Sequence, residues 1–284
     1  MDEVQSEAIR PIKTFEDYFG TDASELKKKR LFLFDMDGTI YAENRLFDGT
    51  LELLKVIENR GGKYVFITNN SSRSVIDYVK KVRKFGIKAD GNNFFTSVQA
   101  TILYLWRIYP DQIVYCQGTG SFVKELRAAG IEVVTEYSEE AGVVVVGFDT
   151  ELSTEKLYTT CRMLQRKIPF IATNPDLRCP VSFGYVPDCG SICGMLEAAT
   201  GRKPVYIGKP EPVMVESVCQ KLGYGLEDTV VIGDRLYTDI AAGWNAGVTT
   251  ICVLTGEATV ESIMEGDRKP SFTFKSVKEI CQVL

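Results

Sequence analysis

Two carboxylates one residue apart follow a short apolar run in the segment Asp35-Met36-Asp37-Gly38-Thr39, and Gly38 permits a sharp turn there. Such a pair can divide its labour. One carboxylate attacks phosphorus to give an acyl phosphate, while its neighbour protonates the leaving oxygen and later deprotonates water. Three more polar clusters stand further along the chain. Thr68-Asn69-Asn70-Ser71-Ser72 gathers hydroxyls and amides at the start of a helix, where N–H groups and the helix dipole favour an anion, although the same residue types cap helices with nothing bound. Gly208-Lys209-Pro210 holds an ammonium where it could neutralise a phosphoryl group, whereas a lone lysine is more often simply solvated. Gly233-Asp234-Arg235-Leu236-Tyr237-Thr238-Asp239 supplies two carboxylates after another apolar run. These suit Mg²⁺, which is satisfied by one or two carboxylates, a phosphate oxygen and waters; an acidic loop without metal is the plain alternative. Each cluster alone is ambiguous, but together they supply the different necessities of phosphoryl transfer.

Residues that are missing narrow the chemistry further. The chain has 284 residues and no histidine, so Ser-His-Asp and Cys-His catalysis and histidine general bases are closed to it. Eight cysteines stand at 116, 161, 179, 189, 193, 219, 252 and 281 without a C-x-x-C pair, many of them in apolar segments, and read as reduced structural thiols. Cys189 and Cys193 have a C-x-x-x-C spacing, but a zinc site would need a second pair or histidines. Hydrophobic residues at 45% and charged residues at 25% are the make-up of an ordinary soluble folded protein. A net charge of −5 without a basic stripe leaves no footprint for polymeric nucleic acid. The apolar runs fall far short of the ~20 residues that cross a bilayer, and no export signal follows Met1. The expectation is a cytoplasmic protein with neither a nucleic-acid nor a membrane partner.

The four clusters need a scaffold that collects them. The apolar run 31–34 stops at Asp35 in the manner of a strand buried on both faces of a parallel sheet. A helix over 51–60 closes at Gly61 and Gly62, and 64–67 reads as the next strand. A helix over 73–85, a short strand at 94–96 and a helix over 99–109 ended by Pro110 follow. The alternation then starts afresh with strand 113–116, helix 121–129, strands 131–134 and 142–146, helix 154–165 and strand 170–172. Helices over 192–200 and 212–222, strand 229–232, helix 239–246 and strand 250–253 complete the reading. The plan is α/β: a Rossmann-like parallel sheet core with helices on both faces, residues 31–110 and 204–284, interrupted by an inserted α/β unit at 111–203. Residues 1–30 form a polar lead-in, helical or loosely ordered. In open parallel sheets ligands gather beyond the carboxyl ends of the strands, which is where the reactive clusters fall.

The ordered set Asp35-Met36-Asp37-Gly38-Thr39, Thr68-Asn69-Asn70, Gly208-Lys209-Pro210 and Gly233-Asp234 through Asp239 resembles the haloacid dehalogenase superfamily of phosphatases, over roughly residue 31 to the C-terminus. Thr68-Asn69-Asn70-Ser71, Ala172-Thr173-Asn174-Pro175-Asp176 and the long insert before Gly208 resemble its NagD and 4-nitrophenylphosphatase branch, which includes pyridoxal and phosphoglycolate phosphatases. The resemblance implies Asp35 as nucleophile, Asp37 as general acid and base, and Thr68, Asn69 and Lys209 holding the transferring phosphoryl group. It implies Mg²⁺ as cofactor, bound by Asp234, the Asp35 carboxylate and the main-chain carbonyl of Asp37, with Asp239 in support. It makes the insert a cap whose loop with Asn174 and Asp176, together with Gly190, faces the leaving group, although Asn-Pro-Asp is also an ordinary turn sequence. Similar proteins dimerise through the cap, so a homodimer is implied too. The expected activity is hydrolysis of small phosphorylated metabolites, with pyridoxal phosphate, nucleoside monophosphates, sugar phosphates and phosphoglycolate all open.

Three other readings compete. A phosphotransferase or mutase would use the same aspartates and hand phosphate to a sugar instead of water; Asp37, as a base for water, favours hydrolysis. Gly118-Thr119-Gly120 after strand 113–116 suggests a dinucleotide-binding turn, but Val123 stands where the third glycine belongs. A non-catalytic phospholigand-binding protein is opposed by the intact set of reactive side chains. The Asn-x-Ser matches at Asn69 and Asn70 fall inside the expected site and read as chance sequons.

Overall fold

The computed structural model describes residues 15–284, so positions 1–14 of the expected lead-in lie outside the described residues. The rest of the lead-in is pinned down. A short 3-10 helix, Ser24–Lys28, buries Leu26, and Asp17 accepts from Thr273 N–H at 2.9 Å, which ties this segment to the last strand of the main sheet.

That sheet has six parallel strands in the order Phe272–Phe274, Thr249–Val253, Thr229–Gly233, Leu31–Phe34, Lys63–Thr68, Phe94–Thr96. Every residue of Leu31–Phe34 is buried. Leu31 and Leu33 join an apolar cluster with Val65, Val98 and Met214, while Phe32 and Phe34 join another with Leu53, Ile57 and Ile280 on the opposite face. Helices thus cover both sides, and this explains a run with no polar alternation. Each such Leu or Phe contributes about 1.5–3 kcal/mol by its burial.

Chain order makes Leu31–Phe34 the turning point. Its sequence successor Lys63–Thr68 pairs on one side, and Thr229–Gly233, reached only after the insert, pairs on the other. The two connections leave in opposite directions, so a crevice opens at the carboxyl end of Leu31–Phe34, the switch point of the sheet.

The insert carries a second parallel sheet, ordered Val205–Tyr206, Phe170–Ala172, Val143–Val146, Val114–Gln117, Val133–Val134. It runs to Tyr206, past residue 203, because a two-residue edge strand pairs with Phe170–Ala172. So short a strand has no periodicity to read. Helix Ser97–Ile108 of the core packs on helix Gly120–Ala128 of the insert, and Phe95, Ile102 and Leu105 share one apolar cluster with Val114, Phe122 and Leu126. Two hairpins complete the picture: Tyr41–Ala42 with Arg45–Leu46, and Arg178–Val181 with Gly184–Pro187.

Gly118-Thr119-Gly120 does open a helix, but its N-terminus is already engaged. Thr119 Oγ1 accepts from Phe122 N–H at 3.2 Å and donates to Ser72 O at 3.0 Å, and the Glu151 carboxylate accepts from Gly120 N–H at 3.0 Å. A carboxylate of the chain itself stands where a pyrophosphate would. All eight cysteines are free thiols, five of them buried. No helix among the described residues is long and apolar enough to cross a membrane.

Candidate active site

Asp35 is the first residue beyond the strand Leu31–Phe34, and its N–H still donates to Ile232 O at 2.8 Å, so sheet register extends to it. The chain then turns at Gly38, whose φ of +92° lies in the region that favours glycine. A Cβ at Gly38 would also stand only 2.5 Å from Asp234 Oδ2. Thr39 fastens the turn to the same carboxylate, donating from Oγ1 to Asp234 Oδ1 at 3.1 Å, while Thr255 Oγ1 holds the turn itself by donating to Gly38 O at 2.6 Å. The Gly-Thr pair of the first motif therefore seats the fourth motif beside it.

Asp35, Asp234 and Asp239 offer carboxylate oxygens that all lie within 4.8 Å of one another. Asp239 arrives there through a single π-helical turn, Leu236–Ile240, in which Ile240 N–H reaches back to Arg235 O at 3.1 Å. Such wide turns recur at functional sites because they re-aim a side chain. Here one oxygen of Asp239 accepts from Arg235 N–H at 3.1 Å and the other lies 2.6 Å from Lys209 Nζ.

Lys209 is buried, and its ammonium donates to Asp35 at 2.6 Å, to Asp239 at 2.6 Å and to Ile67 O at 3.1 Å. Burial alone would lower its pKa, but the Asp239 and Asp35 carboxylates override that and hold it above the ordinary lysine range. Burial and then the Asp239 charge push the Asp35 carboxyl well up, against the opposing pull of Lys209. The same two causes raise Asp234. Three carboxylates against one ammonium leave an excess of negative charge in a dry place, and their all-oxygen donor set is that of a hard divalent cation.

The second motif builds the adjoining wall. Thr68 ends the strand Lys63–Thr68 and lines the chamber with Asn69 and Asn70. The Asn69 amide is engaged at both ends by the Lys209 main chain, accepting from its N–H at 2.8 Å and donating to its carbonyl at 2.9 Å. Its side chain thus positions the lysine, and of the loop's main-chain N–H groups those of Asn70 and Ser72 already donate to Thr68 Oγ1, at 3.2 Å, and Asn70 Oδ1, at 3.0 Å.

From the insert, Asp176 reaches the chamber wall together with Cys179, Pro180 and Asp188. Asn174 and Gly190 lie behind it. Asn174 is fully buried, donating to Asn69 O at 2.7 Å and accepting from Asp176 N–H at 3.0 Å, so it ties the insert's loop to the core. Gly190 N–H donates to Asp176 O at 2.8 Å, and a Cβ there would fall 2.2 Å from Pro175 O. Of the three residues expected at the leaving group, Asp176 lines the chamber, whereas Asn174 and Gly190 do not and hold its loop.

Several groups at the site escaped the sequence reading. Tyr41 OH donates to Asp37 Oδ2 at 3.0 Å, and Lys81 Nζ stands 3.6 Å from Asp37 Oδ1 and 3.8 Å above the Tyr41 ring. Arg235 lines the chamber between Asp176, at 3.9 Å, and Glu257, at 3.3 Å. Asp176 Oδ1 is buried without a hydrogen-bond partner among the described residues. Arg235 was legible in principle, being next to Asp234; Lys81 sits on a helix face that reads like any solvated charge pattern.

A family model described as haloacid dehalogenase-like hydrolase matches residues 32–132, and a HAD-hydrolase-like one matches 206–280. The chain is 34% identical to 5'-nucleotidase YutF of Bacillus subtilis over 89% of its own length and 98% of that protein. The crystal structure of 4-nitrophenylphosphatase from Thermotoga maritima superposes with a TM-score of 0.87 at 40% identity, covering 91% of this chain and 98% of that one. A glycerol phosphate phosphatase from Mycobacterium tuberculosis, solved in complex with magnesium, superposes at 0.84 with 25% identity, covering 90% of this chain and 77% of that one.

Proposed function

This chain belongs to the haloacid dehalogenase-like hydrolases, in the branch of NagD and the 4-nitrophenylphosphatases, and is a phosphoric monoester hydrolase; from that premise we propose that it cleaves small-metabolite phosphomonoesters with Mg²⁺, by way of an aspartyl phosphate on Asp35. What carries the proposal is the convergence of Asp35, Asp234 and Asp239, whose oxygens lie within 4.8 Å although 199 residues separate the first from the second. The magnesium in the mycobacterial relative supports the choice of ion. The carboxylates of Asp35 and Asp234 and the Asp37 carbonyl would hold it. When bound, Mg²⁺ offsets the repulsion between an anionic nucleophile and an anionic ester and stabilises transition-state charge.

The remaining steps belong to the chain's own groups. One Asp35 oxygen attacks phosphorus, and the P–O bond to the leaving group breaks as the Asp37 carboxyl gives that oxygen a proton. Asp37 then takes a proton from water, which attacks the acyl phosphate, releases inorganic phosphate and restores Asp35. Tyr41 and Lys81 keep the Asp37 side chain aimed. Lys209 and Thr68 hold the phosphoryl oxygens. The insert acts as a cap, with Asp176 and the hairpin Arg178–Val181/Gly184–Pro187 keeping bulk water from the chamber.

Phosphate release from 4-nitrophenyl phosphate and a metabolite panel, with Mg²⁺ and with EDTA, tests the proposal. Release should require the metal, yield free inorganic phosphate, and fall on the order of 10⁴-fold or more in Asp35→Asn with an unchanged circular-dichroism spectrum. Substantial turnover by Asp35→Asn, or by the wild type in EDTA, would remove the aspartyl-phosphate mechanism or the metal.

A further inference from the structure

A second cleft, of about 610 Å³, opens out of the phosphoryl chamber, within the size range that holds small organic ligands. The two spaces share Asp37, Asn70, Cys179 and Pro180. The cleft thus begins at the group assigned to protonate the leaving oxygen, on the path by which the leaving group must depart. Its core wall is the helix Val75–Lys84, where Asp77, Lys80, Lys81 and Lys84 recur at intervals of three and four and so share a face. Arg73 stands just before the N-cap Ser74 of the same helix. The opposite wall comes from the insert and sets Phe148, Val181 and Val186 beside the hydroxyls of Thr150 and Ser182.

The charge in this cleft runs against that of the whole molecule. The chain carries 38 acidic and 33 basic residues, yet the cleft gathers four cations against Asp37, Glu43 and Asp77. Two of those carboxylates are already engaged. Asp77 accepts from Ser74 N–H at 3.2 Å and from Ser74 Oγ at 2.7 Å, and Asp37 holds Tyr41 and Lys81. Arg73, Lys80 and Lys84 are exposed, and no ion pair among the described residues includes them. Three cations outside any ion pair among the described residues therefore line the exit of a chamber built for one phosphate, in a cleft where cations outnumber carboxylates by four to three.

We propose that this cleft is a subsite for a second anionic group on the leaving-group portion of the substrate. The preferred esters carry a further phosphate or carboxylate roughly one helical turn from the ester oxygen: Lys81 adjoins Asp37, and Lys84 lies three residues on, ~4.5 Å along the helix. A short carbon skeleton between the anions would lie against Phe148, Val181 and Val186. The proposal rests on the phosphatase reading given above and adds a substrate class to it.

The test uses the monophosphate and the bisphosphate of 1,4-butanediol, with 4-nitrophenyl phosphate as control. After the twofold statistical advantage of two equivalent esters is removed, kcat/KM for the bisphosphate should exceed that for the monophosphate by about tenfold or more, mainly through KM. The excess should shrink between about 50 mM and about 500 mM NaCl, since exposed charges are screened. Replacing Arg73, Lys80 and Lys84 together by Gln should bring the ratio towards one; a ratio kept in that variant, or a ratio of one or less in the wild type, overturns the subsite. Hydrolysis of 4-nitrophenyl phosphate with a flat diol-ester ratio sinks the subsite alone, whereas no hydrolysis of any ester sinks the phosphatase reading. In that second case calorimetric titration of the Asp35→Asn protein still decides: tighter binding of the bisphosphate supports the subsite, and equal affinities overturn it.

Discussion

The carboxyl edge of the core sheet and the facing wall of the insert meet at one chamber but are built by opposite means. On the core side, Asp35 directly follows Leu31–Phe34, Thr68 ends Lys63–Thr68 and Asp234 directly follows Thr229–Gly233. Their positions are set by the register of a sheet buried on both faces. On the insert side, Asp176 comes from a loop, Cys179 and Pro180 from a two-stranded hairpin and Asp188 from a helix cap, none of them in the five-stranded sheet. These are held by single hydrogen bonds such as Asn174 to Asn69 O and Gly190 N–H to Asp176 O. The difference teaches that one wall of the chamber is anchored where geometry is stiffest, while the other hangs from segments that can vary without disturbing it.

If the core edge is the stiff half, damage there should register as lost rate, and Lys209→Met is the severest case after Asp35→Asn. It removes the ammonium that Asp35 and Asp239 share at 2.6 Å each. Phosphate release should fall on the order of 10³-fold, as when a preorganised electrostatic group is deleted. Steady-state kinetics at saturating Mg²⁺ checks this, and a loss below tenfold would break the comparison. Gly38→Ala comes next. The added Cβ meets Asp234 Oδ2 at 2.5 Å in a backbone conformation alanine resists. Activity should drop about 10²-fold, a scale typical of misplacing a reacting group by about an ångström.

The same contrast decides what could be read from the chain beforehand. The core edge was legible because a buried parallel strand leaves a continuous apolar run, as in Leu31 to Phe34, and the first polar residue after it is already at the site. That Asp35 and Asp234 share one crevice was legible from their places at the ends of buried strands, but which strands are neighbours was not, since nothing local reports strand pairing. The resemblance implied a phosphoryl-holding role for Asn69 but not the bond of its amide to the Lys209 main chain; hydrogen-bond partners distant in sequence are invisible to spacing. The hairpin Arg178–Val181/Gly184–Pro187 escaped notice because Cys179 and Val186 alternate with residues no more apolar than a loop's. Tyr41 and Lys81 escaped because a helix face and a short hairpin have no chemistry until Asp37 is placed between them. The edge strand Phe272–Phe274 and the helices Val260–Glu265 and Val277–Val283 were missed as short terminal elements whose existence depends on packing.

In the insert the expected effects are smaller and of another kind. Gly190→Ala forces a Cβ to 2.2 Å from Pro175 O, so the Asp176 loop or the helix Cys189–Thr200 must shift. Such a backbone clash should cost about 1–3 kcal/mol of stability. Because the reacting groups stand on the other wall, kcat for 4-nitrophenyl phosphate should change only severalfold while KM varies with the ester tested. Denaturant unfolding and a comparison of three or more esters would show this, and a uniform 10²-fold loss of kcat would mean that the insert holds the core's geometry after all.

The smallest effect concerns charge alone. Asp188 caps the helix Cys189–Thr200, and burial, followed by the neighbouring Asp176 charge, pushes its carboxyl up to about 7, with the Cys189 N–H and Arg235 pulling the other way. In the unfolded chain the same group titrates near ~3.9. Its folded-state pKa is raised, so folding takes up a proton between those values: the group's penalty is absent below about pH 4, grows as pH rises, and is complete above about pH 7. Asn keeps the capping acceptor and removes the charge. Asp188→Asn should therefore raise Tm by on the order of 2–4 °C at pH 8, with the gain shrinking as pH falls towards 5. An equal gain at both pH values would assign the effect to packing. Mg²⁺ sharpens the contrast between the two walls, because the raised carboxyls of Asp35 and Asp234 belong to the acidic cluster and Asp188 does not. Added metal should relieve the core's charge excess and lift Tm by the same amount in wild type and variant, leaving the Asp188 penalty in place on the insert's side.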